Sequence, residues 1–99
     1  MSKYKHTQTI ISANIDNKTL ACEIGDLYYD SLSEFLKELS IKLANDAKAD
    51  KARGREKLAN SLFSASSHIL EASKEIDTAW DICEPYVKEW LRKNGSNRE

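Results

Sequence analysis

The chain is predicted to be mainly α, an antiparallel helical hairpin or bundle, and three observations predict it. Starting at Leu58 and stepping alternately by four and three, one meets Leu62, Ala65, Ile69, Ala72, Ile76, Ala79, Cys83, Tyr86 and Trp90, all apolar or amphipathic. That cadence is a heptad-type seam on one helix face. The opposed column, Asn60, Ser67, Lys74, Asp81 and Lys88, is polar throughout. Upstream, Leu32, Leu36, Leu39 and Leu43 follow a four-three-four spacing with Phe35 beside them. Between the two stripes, residues 44–57 hold nothing apolar larger than Ala, and Gly54 sits near their end. Continuing the first stripe at heptad spacing lands on Asp46, Asp50, Arg53 and Lys57, all charged. A turn over 52–56 explains this better than one continuous rod.

The elements follow in chain order. Two readings compete for the first quarter. Ile11, Ala13 and Ile15 alternate with polar residues, and Leu20, Cys22 and Ile24 alternate again after Asp16-Asn17. This is the pattern of a small β-hairpin over about 8–24 closed by Gly25-Asp26. The competitor is a short helix from Lys18 to Tyr29, capped by Asn17, with Leu20, Ile24, Leu27 and Tyr28 on one face. Next comes a helix over about 31–52. Ser31-Leu32-Ser33-Glu34 matches the capping box, in which Ser31 caps and Glu34 reaches back. Ile41 points away from its leucine stripe. The third element is a helix over about 56–84. Pro85 withholds a donor from the carbonyl of Asp81 and crowds that turn, so a bend or a separate short helix over 85–93 is expected there. Gly95 supplies a stop. Within the long seam one column carries Ala65, Ala72 and Ala79. Three alanines at heptad spacing permit a neighbouring helix to approach closely, so this column is expected to be buried against the first helix or a second copy.

With 99 residues the chain is a single domain, 1–99, with flexible tails expected at 1–7 and 95–99. A composition of 40% apolar and 31% charged residues excludes collagen-like, low-complexity and wholly disordered classes. The net charge of -1 argues against a generic polyanion binder, which needs a surplus of Lys and Arg. The basic opening Met1–His6 is followed by no apolar leader segment, and no stretch approaches a membrane span. A cytoplasmic location is expected. Cys22 and Cys83 lack any framework or CxxC spacing, so free thiols are expected.

Chemistry is sparse. No nucleophile elbow, phosphate-cradling glycine loop or zinc spacing occurs, and His6 and His68 are the only histidines. On one helix His68 and Cys83 stand roughly 22 Å apart, too far to share a site. Glu34 with Glu38, and Glu71 with Glu75, form i,i+4 pairs. Facing pairs of this kind hold Mg²⁺ in all-α nucleotide pyrophosphatases, but there they are an adjacent Glu pair and a Glu-x-x-Asp. Here Phe35 follows Glu34 and Lys74 stands three after Glu71, so a Mg-dependent nucleotide hydrolase is a distant alternative. No catalytic residue, metal or cofactor is expected.

Binding is better represented. Lys48, Lys51, Arg53, Arg55 and Lys57 form a basic patch at the expected hairpin tip, netting +3 with Asp50 and Glu56. Without interleaved aromatics it reads first as a solubilised turn. Its sharper readings are a nucleic-acid accessory or antitoxin-like regulator, and a complement to the acidic segment 71–84 of a second copy. Ala65, Ala72, Ala79, Trp80, Tyr86 and Trp90 are the candidate interface. The expected function is a small, soluble, non-catalytic interaction or regulatory module, acting as a homodimer and on a further protein partner.

Overall fold

The computed structural model describes residue 6 and residues 14–95. Among them the order is α1 (Asn17–Gly25), α2 (Tyr29–Ala52) and α3 (Glu56–Trp90), followed by a π-helical turn Leu91–Gly95. No strand forms among the described residues.

The β-hairpin expected over 8–24 is therefore corrected where it can be seen. Leu20, Cys22 and Ile24 are helical, and residues 8–13 lie outside the described residues. Asp16 decides the matter locally. Its carboxylate accepts from the Thr19 N–H at 2.9 Å, a side-chain N-cap. That bond also holds its carboxyl below the usual range. A short helix meets its backbone hydrogen bonds internally, whereas an isolated hairpin needs a surface to lie on. The cap is Asp16, one residue before the expected Asn17.

α2 begins three residues earlier than the capping box suggests. Its N-cap is Tyr28, with no side-chain cap bond, and Ser31 lies inside the helix. Asp30 takes the helix-start role instead, its carboxylate accepting from the Ser31 N–H at 2.7 Å. At the other end the turn falls where the sequence places it. Arg53, Gly54 and Arg55 separate α2 from α3, and Gly54 holds φ +81°, a left-handed conformation that suits a residue without Cβ. The Asp50 carbonyl accepts from the N–H groups of Arg53 and Arg55 at 3.1 and 2.9 Å. The Asp50 carboxylate pairs with both guanidinium groups, at 3.6 and 3.3 Å.

α3 runs unbroken for 35 residues with Pro85 inside it, so residues 85–90 continue the same helix and no separate 85–93 helix exists. At 1.5 Å per residue it is about 52 Å long, close to the 56 Å long axis of the molecule.

The packing of α2 on α3 departs most from expectation. The buried residues of α2 are Ser33, Ser40 and Ala47, and those of α3 are Ala59, Ser66 and Ser73. Each set repeats every seven residues, and the helices run antiparallel so that Ser33 meets Ser73 and Ser40 meets Ser66. The Ser33 hydroxyl donates to the Ser73 carbonyl at 3.0 Å. The Ser66 hydroxyl donates to the Ser40 carbonyl at 2.7 Å, and the two hydroxyl oxygens lie 3.0 Å apart. One further heptad in the same register sets Ala47 against Ala59, both fully buried. A serine side chain reaching the facing helix's backbone requires axes near the short end of the usual ~8–10 Å range. Lys37 closes one flank of this contact with an ion pair to Asp77 at 3.2 Å.

The alanine column is consequently not the seam between the two helices. Ala65 and Ala79 are half-buried and Ala72 is exposed. The seam lies one position further on, at Ser66 and Ser73. Serine is polar, yet a serine hydroxyl that bonds a carbonyl is well satisfied and its side chain is only one heavy atom larger than an alanine methyl.

Candidate interaction face

With small residues at the helix contact, the large apolar side chains stand beside it. At about 100° per residue, Leu36 and Leu43 flank the seam on α2, with Leu32 and Leu39 one step further round. On α3 the corresponding flank is Leu62, Ile69 and Ile76, then Leu58, Ala65, Ala72 and Ala79. Because the helices are antiparallel, both flanks project to the same side of the hairpin. The result is one apolar face.

Among the described residues nothing covers that face. The fully buried side chains with the largest volume are Ser33 and Ser73, and the buried apolar residues among those described are Ala47 and Ala59 alone. Leu36, Leu39, Leu43, Leu62, Ile69 and Ile76 are each only half-buried. Phe35 is 39% exposed, Leu58 47%, Ile82 67%, Tyr86 75% and Trp90 49%. Helix α1 contributes no buried residue. Ile41 and Leu70 are exposed on other sides, where single apolar residues are ordinary.

The sequence-derived candidates divide between this face and its ends. Ala65, Ala72 and Ala79 run along it. Tyr86 and Trp90 extend it toward the C-terminal end of α3. Trp80 is half-buried and stacks on Tyr28, with ring centroids 5.9 Å apart and planes 23° from parallel. A shallow notch of about 260 Å³ opens beside that stack, bounded by Leu27, Tyr29, Cys83 and Val87.

The basic patch occupies the hairpin tip. Lys48, Lys51, Arg53, Arg55 and Lys57 are all exposed there. Asp50 engages Arg53 and Arg55, which draws two of the five cations inward. Among the acidic residues, the carboxyl of Asp77 sits below its usual range, with the polar Ser33 hydroxyl and the paired Lys37 ammonium beside it. Among the described residues no three His, Cys, Asp or Glu side chains converge as a metal site would require. Cys22 and Cys83 are free thiols. No helix among the described residues is long and apolar enough to cross a membrane.

Comparison with protein-family models, curated proteins and solved structures finds no match to this chain.

Proposed function

We propose that this chain is a small helical protein–protein interaction or regulatory module that acts through self-association and carries no catalytic centre. The single observation supporting this reading is the bare apolar face. A leucine or isoleucine brought fully out of water contributes about 1.5–3 kcal/mol, and here eight such side chains, at 32, 36, 39, 43, 58, 62, 69 and 76, stop half-way or remain exposed. Contiguous apolar surface of that kind marks an interaction site in a folded protein. Free thiols at Cys22 and Cys83 go with a reducing, cytoplasmic setting. The basic tip plays a secondary part in this reading, since Asp50 already holds Arg53 and Arg55.

Size-exclusion chromatography with light scattering tests the proposal. The expected mass is twice the 11.2 kDa of one chain, with dissociation on dilution. A mass of one chain at every concentration contradicts it.

A further inference from the structure

We infer that the apolar face is covered by a second copy of this chain lying antiparallel across it, α3 on α3, with the twofold axis at Ala72. The inference rests on the self-association proposed above and adds the face, the direction and the register.

The area comes first. The whole chain exposes 8045 Å², whereas a compact monomer of this mass exposes about 5,700 Å². A standard stable interface takes about 800 Å² per partner, and the half-buried and exposed apolar side chains along α2 and α3 are the surface that would supply it. The radius of gyration is 17.6 Å, against about 13 Å for a compact domain of this length. One further layer of two helices on this face makes a four-helix bundle, in which half-buried leucines become core.

The direction follows from charge. If two hairpins lay with their tips together, ten Lys and Arg side chains of segment 48–57 would crowd one end. Reversing one copy separates them, because like charges placed face to face are costly at an interface. A twofold axis across the hairpin accomplishes this, and it lays α3 on α3 and α2 on α2.

The register follows from symmetry. An isologous contact between antiparallel helices needs a column that reads alike in both directions. The outer column of α3 does so. Seven residues either side of Ala72 stand Ala65 and Ala79, and fourteen either side stand Leu58 and Tyr86. Bulky ends then flank a small centre, as the α2–α3 seam also keeps small residues where helices cross closely. α2 supplies an independent check. With the axis at Ala72, the stretch of α2 that overlaps its own copy is residues 29–39. That stretch holds Tyr29, Leu32, Phe35, Leu36 and Leu39, while 40–52, left outside the overlap, holds Ile41 and Leu43 as its only apolar residues larger than Ala.

Disulfide trapping tests this in chains whose Cys22 and Cys83 are changed to Ser. Ala72 is exposed in the single chain, so Ala72→Cys leaves the hairpin intact, as circular dichroism will verify. Under mild oxidation Ala72→Cys is expected to form covalent dimers. Ala65→Cys alone does not, since its two copies stand about 21 Å apart along the axis, but it cross-links when mixed with Ala79→Cys. A dimeric mass with Ala65→Cys closing on itself, or with Ala72→Cys staying reduced, overturns the face and register while leaving self-association standing. A monomer in light scattering overturns both. Ala72→Glu provides a second reading without cysteines. It is expected to weaken the dimer by more than about 100-fold with helicity unchanged, and an unaltered dimer would refute the placement.

Discussion

Enlarging Ser66 is the sharpest stability experiment. Its side chain is buried, its hydroxyl donates to the Ser40 carbonyl at 2.7 Å, and its oxygen lies 3.0 Å from the Ser40 hydroxyl. Ser66→Ala removes those bonds while keeping the space, and costs about 1 kcal/mol. Ser66→Leu doubles the number of side-chain heavy atoms where the two helices approach most closely. Overpacking then adds about 1–3 kcal/mol, for a total of roughly 2–4 kcal/mol with the lost hydrogen bonds. In a domain of this size each kcal/mol moves Tm by about 4–8 °C. Thermal melts followed by circular dichroism, at one protein concentration, should therefore place Ser66→Ala about 4–8 °C and Ser66→Leu about 8–32 °C below the parent. Ser67→Leu, one residue away on the exposed side, serves as the control and should change stability by less than about 0.5 kcal/mol. If Ser66→Leu melts with Ser67→Leu, the helices do not meet at Ser66 and the small-residue seam is wrong.

Three further outcomes follow from particular residues. Gly54→Ala should cost about 1 kcal/mol because φ is +81° there although nothing crowds a Cβ; Gly54→Asn should cost less in the same melts. Pro85→Ala should stabilise the chain by up to about 3 kcal/mol, since Pro85 lies inside α3, and an unchanged Tm would place Pro85 outside any helix. The native carboxyls of Asp16 and Asp77 titrate below their ordinary 3.8. The unfolded chain thus takes up these protons first as pH falls. Their stabilisation is complete above 3.8 and is lost as pH drops through the native values. Asp77→Asn should blunt that acid transition in a pH series of melts.

Much of the fold is legible in the sequence because large apolar residues keep helical time. The leucines from Leu32 to Leu43 and the column from Leu62 to Ile76 announce two amphipathic helices, and Gly54 among charges announces the turn. The register between the helices is less legible. Hydrophobicity favours the alanines at 65, 72 and 79 over the serines at 66 and 73 as buried positions. The signal that distinguishes them is a match between helices: small residues at 33, 40 and 47 face small residues at 59, 66 and 73. Only that pair of heptad repeats brings two backbones together without a large side chain between them. The start of α1 was hidden for a related reason, since alternation around Asp16-Asn17 suits a strand as well as a helix until the Asp16 cap is seen. Ala65, Ala72 and Ala79 line the open side of the hairpin, not the α2 contact.

Nuclear Overhauser contacts across the hairpin test the core of this account most directly. The β-protons of Ser33 are expected to contact those of Ser73, Ser40 those of Ser66, and the Ala47 methyl that of Ala59. In an isotope-mixed sample, the Ala72 methyl should contact only its own copy in the second chain. Contacts from the Ala65 or Ala72 methyls to Ser40 or Ser33 of the same chain would shift α3 by one residue and leave no bare face to cover.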